Sequence, residues 1–224
     1  YGFHGIHGRS LPIAFGVKMG RPDLNVVVVA GDGDFLSIGM EHIAPQAARN
    51  LDVTAVIMDN AVYGLTKGQS SPTTELGETT SSTPYGKLEV ALNPLDLYIT
   101  LGVSFIASGF SSKPRDLAKL ITAGMEHPGF AIIHVQSPCT TYNDNYEELK
   151  GNPKKGLSPL LWDIPENHDP SDYAAAHKTI HSGGWPLGII YRNTDRPTLD
   201  QQVRHTQTNV KAKTTQQLLD SYGI

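Results

Sequence analysis

Val26-Val-Val-Val-Ala-Gly31-Asp32-Gly33-Asp34, answered downstream by Val53-Thr-Ala-Val-Ile-Met58-Asp59-Asn60, is the sequence that decides how this chain folds. Four β-branched residues in a row read as a strand buried on both faces, the habit of parallel sheets. Two glycines then turn the chain and leave a carboxylate at the strand's carboxyl end. A helical stretch from Phe35 to Asn50 follows, with apolar residues at Leu36, Ile38, Ile43, Ala44, Ala47 and Ala48. The second apolar run delivers Asn60 to its own carboxyl end. In an open α/β sheet such ends lie side by side at the ligand-binding edge. One carboxylate, one amide oxygen and a row of glycine N–H groups then converge. That donor set suits a divalent cation carrying a diphosphate: hard oxygens for the metal, backbone donors and a helix start for the anion.

Twenty-six residues separate Gly33 from Asn60, enough for one helix and one strand. A Gly-Asp-Gly followed at that distance by Asn resembles the thiamine diphosphate motif. A Gly-Asp turn in an ordinary doubly wound domain is the alternative. A nicotinamide site fits less well, because the third glycine is lacking and a carboxylate stands beside the phosphates.

Alternation of strand and helix continues outward. Arg9 to Met19 reads as a short helix with Leu11, Phe15 and Met19 on one stripe. Helices are expected at Leu95–Leu101 and Pro114–His127, and strands at Val103–Ala107 and Ala131–Val135. The fold class is therefore α/β, a parallel sheet with helices on both faces. Tyr63 to Glu89 is a Gly/Ser/Thr/Pro-rich loop far longer than most connections, a habit of functional loops. Residues 1–145 form the α/β domain in this reading. Residues 146–224 turn polar and read as a carboxyl-terminal extension or arm, with one apolar patch at Trp185 to Tyr191 and no evident chemistry.

With 39% hydrophobic residues among 224, the chain can bury a full core. A net charge of −4 gives no electrostatic case for nucleic acid or an anionic membrane. Apolar runs stop at strand length, so no membrane span is expected. A single cysteine excludes an internal disulfide framework and favours a reducing, cytoplasmic setting. The first residue is Tyr1 rather than methionine, from which an amino-terminal truncation is expected.

Asp32 and Asn60 are the metal candidates, with the Val62 carbonyl completing the protein's share of a Mg²⁺ shell. Gly31, Gly33 and Asp34 offer diphosphate contacts, although Asp34 is equally suited to cap a helix. Lys67 is the only cation in Tyr63-Gly-Leu-Thr-Lys-Gly-Gln-Ser-Ser-Pro-Thr73, either solvated or facing an anion. His4 and His7 stand before a helix and lack a third metal ligand, so anion binding or a structural role competes there. His177 and His181 also lack a third ligand and read as a solvated face. Cys139, alone, reads as a small apolar residue.

Phe3-His-Gly-Ile-His-Gly-Arg9, Gly31-Asp-Gly-Asp34, Met58-Asp-Asn60, Tyr63-Gly-Leu-Thr-Lys-Gly-Gln69, Ser71-Pro-Thr73 and Ser137-Pro-Cys139-Thr-Thr-Tyr-Asn143 together resemble the β subunit of 2-oxoacid:ferredoxin oxidoreductases, closest to the 2-oxoglutarate type. The resemblance implies that Asp32, Asn60 and Val62 bind Mg²⁺, and that His7, Gly31, Gly33, Asp34, Gly64 and Leu65 contact thiamine diphosphate. It makes Lys67 and His7 the catalytic candidates, with Lys67 facing substrate or coenzyme A. Cys139 becomes one of four ligands to a [4Fe–4S] cluster, whose other three cysteines are absent. The implied reaction is oxidative decarboxylation of a 2-oxoacid, with ferredoxin taking electrons and coenzyme A the acyl group. The implied partner is an α subunit that completes the active site. A nonoxidative thiamine diphosphate-dependent decarboxylase or carboligase and a noncatalytic subunit are the rival readings.

Overall fold

A computed structural model describes residues 1–223 and shows a six-stranded sheet between helical layers. In chain order come α1 (Ser10–Gly20), β1 (Val27–Gly31), α2 (Ile43–Arg49), β2 (Val53–Asp59) and the short β3 (Val62–Tyr63) and β4 (Gln69–Ser70). Next are α3 (Pro94–Thr100), β5 (Phe105–Phe110), α4 (Pro114–Met125), β6 (Phe130–Gln136), α5 (Tyr146–Lys150), β7 (Leu161–Asp163), α6 (Tyr173–Ile180) and β8 (Trp185–Arg192). Helices α7 (Leu199–Asn209) and α8 (Thr215–Ser221) close the chain.

The sheet runs β1-β2-β6-β5-β8-β7. Its first four strands are parallel, as the strand–helix alternation requires. Strand β8 then pairs antiparallel with β5, and β7 lies parallel to β8. One face packs Leu11, Phe35, Ile43, Leu95, Tyr98 and Ile180 against the strands, and the other carries Leu117, Leu120 and Ile121 of α4. Local signals set the helix starts. The Asn93 side chain accepts from the N–H of Leu95 (3.1 Å) and of Asp96 (3.2 Å), and Pro94 takes the first turn of α3, where its missing N–H costs nothing.

Several expectations are corrected. Strand β1 is buried on one face only: Val28 and Ala30 are covered, while Val27 and Val29 are 40% and 69% exposed. It is the sheet's edge, and among the described residues no layer covers that side. On α1 the buried stripe is Leu11, Ala14 and Lys18, with Phe15 and Met19 only partly buried. Lys18 tolerates burial because its ammonium donates to Leu24 O (2.9 Å) and Asp52 Oδ2 (2.7 Å). Phe35–Asn50 is not one helix. A π turn over Asp34–Ile38 and a 3₁₀ turn over Met40–His42 precede α2. The wide turn closes through Gly39 N–H to Asp34 O at 2.9 Å, a local expansion of the kind found near functional sites.

Beyond residue 145 the chain does not merely lie over the domain, since β7 and β8 extend its sheet as far as Arg192. Arg196 then ties the chain to the core, donating to Gly102 O (2.7 Å) and Ala48 O (2.9 Å). Only α7 and α8 are arm-like, each opened by a capping box and nearly free of buried side chains. No helix among the described residues is long and apolar enough to cross a membrane.

Candidate cofactor site

Register builds the site. Gly31 pairs with Met58 across β1 and β2, so Asp32 and Asn60 leave the sheet together. The Asn60 N–H points to Asp32 Oδ1 at 3.4 Å. After Asn60 the backbone enters the left-handed region at Ala61 (φ +55°), a conformation that costs a non-glycine residue roughly 1 kcal/mol. The turn is held on both sides. Ala61 N–H donates to Asp59 Oδ1 (2.9 Å), Thr74 Oγ1 donates to Ala61 O (2.6 Å), and Val62 N–H donates to Asn60 Oδ1 (3.1 Å).

Beneath Asp32 lies a buried polar chain that the sequence did not announce. Thr73 Oγ1 sits 3.0 Å from Asp32 Oδ2 and 2.7 Å from Asp59 Oδ1, so one hydroxyl proton faces two carboxylates. The other oxygen of Asp59 lies 2.9 Å from His134 Nε2, and His134 Nδ1 lies 3.3 Å from the Tyr98 hydroxyl. Trp185 stacks on the imidazole with rings 5.6 Å apart and 6° from parallel. The two carboxylates diverge electrostatically. Burial, and then the charge of Asp59, push Asp32 up to about 6. Burial pushes Asp59 up as well, but the His134 hydrogen bond and charge outweigh it and hold that carboxyl below its usual range. Lys87 fixes the Ser71–Thr74 loop by donating to the carbonyls of Ser71 (3.1 Å), Pro72 (3.2 Å) and Thr74 (2.7 Å). A hydroxyl, a lysine and a histidine inside otherwise apolar or loop sequence were the available signals for Thr73, Lys87 and His134.

The anion side is also assembled. Gly8 N–H donates to Asp34 Oδ1, and His7 Nδ1 lies 3.7 Å from the same oxygen. Gly8 is left-handed (φ +75°), and a Cβ there would stand 2.7 Å from the Ile38 carbonyl. Gly8→Ala is therefore expected to displace the His7 loop and weaken thiamine diphosphate binding roughly tenfold or more, read by cofactor titration of the folded variant. A Cβ on Gly33 would overlap the Tyr63 ring, whose hydroxyl reaches Gly33 O at 3.4 Å. Gly31 lies where a Cβ would meet little, and Gly64 packs beside the Asn60 amide. Leu65 is 88% exposed, and Lys67 is exposed with φ +75°. Both side chains are open to solvent.

The hard-oxygen donors and the buried, cation-deficient carboxylate fit Mg²⁺ with a diphosphate. Cys139 is different. It is a half-buried free thiol whose backbone bridges Asn143, and Asn143 Nδ2 donates to Asn60 O (3.1 Å). One cysteine does not make a cubane cluster, which takes four thiolates, so this chain's own residues do not fit that group. A large cavity, about 960 Å³, lies past β5 and β6 between Ser111, Pro138, Thr140 and Lys155. Asp32 and Gly33, both buried, do not line it.

The Asp32–Asn60 site, at the carboxyl ends of parallel strands, is that of a thiamine diphosphate-binding α/β protein. Residues 1–135 match the thiamine pyrophosphate enzyme C-terminal TPP-binding domain, and residues 155–208 match the C-terminal family of the pyruvate ferredoxin oxidoreductase beta subunit. The chain belongs to the beta subunits of 2-oxoacid:ferredoxin oxidoreductases. It is 41% identical over 210 residues to the beta subunit of 2-oxoacid:ferredoxin oxidoreductase 1 of Aeropyrum pernix, spanning 90% of this chain and 66% of that one. It is 42% identical over 182 residues to 2-oxoglutarate synthase subunit KorB of Archaeoglobus fulgidus, spanning 79% and 67%. The structure of 2-oxoglutarate:ferredoxin oxidoreductase from Magnetococcus marinus, with 2-oxoglutarate, coenzyme A and succinyl-CoA bound, superposes with a TM-score of 0.86. That match is 38% identical and covers 97% of this chain and 74% of the other. The chain thus spans about two thirds of the length of these curated relatives.

Proposed function

We propose that the chain is the cofactor-binding half of a cytoplasmic enzyme that oxidatively decarboxylates a 2-oxoacid, 2-oxoglutarate first among them, passing the acyl group to coenzyme A and electrons to ferredoxin. The juxtaposed Asp32, Asn60 and glycine turn carries this reading, and the identities to oxidoreductase subunits support the oxidative reaction over a nonoxidative one. Thiamine diphosphate, when bound, supplies the carbanion-stabilising chemistry that a 2-oxoacid decarboxylation needs. Asp32, Asn60 and the Val62 carbonyl would hold its Mg²⁺. Gly31, Gly33, Gly64 and the start of the Asp34 turn would meet the diphosphate with N–H groups, and the Leu65 backbone would extend that wall. His7, with Nδ1 3.7 Å from Asp34 Oδ1 and its side chain exposed, would be free to turn its imidazole toward the anion. Lys67, on an exposed left-handed turn, would meet a carboxylate of the substrate or a phosphate of coenzyme A.

The active site is completed in this reading by an α subunit. The uncovered valines of β1 support that assembly, because exposed apolar side chains beside a site mark a surface awaiting a partner. Cys139 would give one thiolate to an iron–sulfur cluster, with the remaining ligands from outside these residues. The test is 2-oxoglutarate- and coenzyme A-dependent reduction of a one-electron acceptor by the assembled complex of this chain with its α partner. CO₂ release without acceptor reduction would select a nonoxidative decarboxylase. Absence of thiamine diphosphate binding by the intact complex would leave a noncatalytic subunit.

A further inference from the structure

His177 and His181 are separated by one helical turn, and the fold brings a third ligand to them. Asp96 of α3 places Oδ1 3.4 Å from His181 Nε2, and one ligand atom from each of the three residues lies within 4.8 Å of the others. Among the described residues this is the one trio of His, Cys, Asp or Glu side chains so arranged. The imidazoles stack with centroids 4.2 Å apart. His181 Nδ1 lies 2.8 Å from His177 O, so its ring N–H donates to that carbonyl while Nε2 faces Asp96. A ring N–H given to a backbone carbonyl, with the other nitrogen turned outward, is the arrangement of a metal-ligating histidine.

We propose that Asp96, His177 and His181 form a binding site for a borderline divalent transition-metal ion of the Zn²⁺ class, separate from the thiamine diphosphate site. Tetrahedral bonds of about 2.0–2.1 Å put ligand atoms roughly 3.3–3.4 Å apart, the separation His181 and Asp96 already have. Both histidines are exposed and Asp96 is half-buried, so side-chain rotation alone closes the remaining gap. Two imidazoles and one carboxylate select Zn²⁺, Co²⁺, Ni²⁺ or Cu²⁺ over Mg²⁺ and Ca²⁺. Three protein ligands leave a fourth position to water. The ion would clip α6 to α3. Because α6 packs on β8, the clip would fasten the sheet's antiparallel extension to the core around Tyr98.

The experiment titrates the untagged full chain with Co²⁺, with Mg²⁺ in excess to occupy Asp32. Visible absorption reports geometry and calorimetry reports stoichiometry. One ion per chain with a four-coordinate spectrum is expected. His177→Ala, His181→Ala and Asp96→Asn should each weaken binding at least about tenfold. Zn²⁺ should raise the unfolding temperature of the wild type and not of His177→Ala. The variants alter surface side chains, and far-UV circular dichroism verifies that each is folded. Absence of stoichiometric binding, or binding unchanged in His177→Ala, would reduce the trio to a surface imidazole–carboxylate pair and overturn the proposal.

Discussion

Asp32→Asn should abolish cofactor-dependent turnover and at the same time stabilise the cofactor-free protein at neutral pH. The first effect follows from losing an anionic ligand, for which at least a hundredfold drop in Mg²⁺–thiamine diphosphate affinity is expected. The second follows from proton linkage. Asp32 is raised from 3.8 to about 6 in the folded chain, chiefly by burial and then by Asp59. Between those values the folded state holds a proton that the unfolded state has released, so stability falls as pH rises through this window. The full penalty, on the order of 3 kcal/mol, is present above about pH 6 and absent below about pH 4. His127 works in the opposite sense. Burial, then Arg192, lowers it to about 4, so its contribution grows as pH rises from 4 to 6.5. The wild-type profile alone therefore mixes two terms, and the difference between variant and wild type isolates Asp32. Urea unfolding in chelator should show little difference at pH 4 and a clear gain for Asp32→Asn at pH 7.5. A gain of the same size at both pH values would mean that Asp32 carries no raised carboxyl.

The parts of this site that were legible in the sequence are those set by short-range spacing. Asp32 and Asn60 stand at the ends of adjacent strands because one βαβ unit separates them, and the register of β1 on β2 follows from that unit. Thr73, Asp59 and His134 were not legible as a group, since the contact from Asp59 to His134 spans 75 positions and Thr73 reaches Asp32 across 41. A histidine inside Ala131-Ile-Ile-His-Val135 was a signal that a buried partner existed, but not which one. The same limit hid Asp96 from His177 and His181. The Phe35–Asn50 helix breaks at Gly39, between the π and 3₁₀ turns, although its apolar periodicity runs through that position. Exposure of Val27 and Val29 came from β1 being the sheet edge, a property of topology that four valines cannot declare. The Trp185–Tyr191 patch reads as apolar, but its antiparallel seat on β5 depends on a long connection whose return direction no local residue fixes.

His134→Ala should be the most destabilising single change around the site, costing about 3–5 kcal/mol through the stranded charge of Asp59. His134 is fully buried and Asp59 is 3% exposed, so no solvent replaces the lost partner. What remains to Asp59 is Ala61 N–H and a Thr73 proton that Asp32 also claims. A cavity between Tyr98 and Trp185 adds to the loss. Asp59→Asn in the His134→Ala background should therefore recover a substantial part of the stability, because a neutral amide needs no counter-charge. The pair also sets the charge beneath Mg²⁺. With His134 gone, Asp59 is driven to take up a proton; the negative charge it loses offsets the positive charge His134 supplied, and cation affinity at Asp32 should change little. Trp185 stacks on His134 and gives a fluorescence signal independent of turnover. Denaturant midpoints for the two single variants and the double variant, with Mg²⁺ titrations of thiamine diphosphate binding, test both claims. If Asp59→Asn brings no recovery, the loss lies in the cavity, and the His134–Asp59 contact is packing rather than charge compensation.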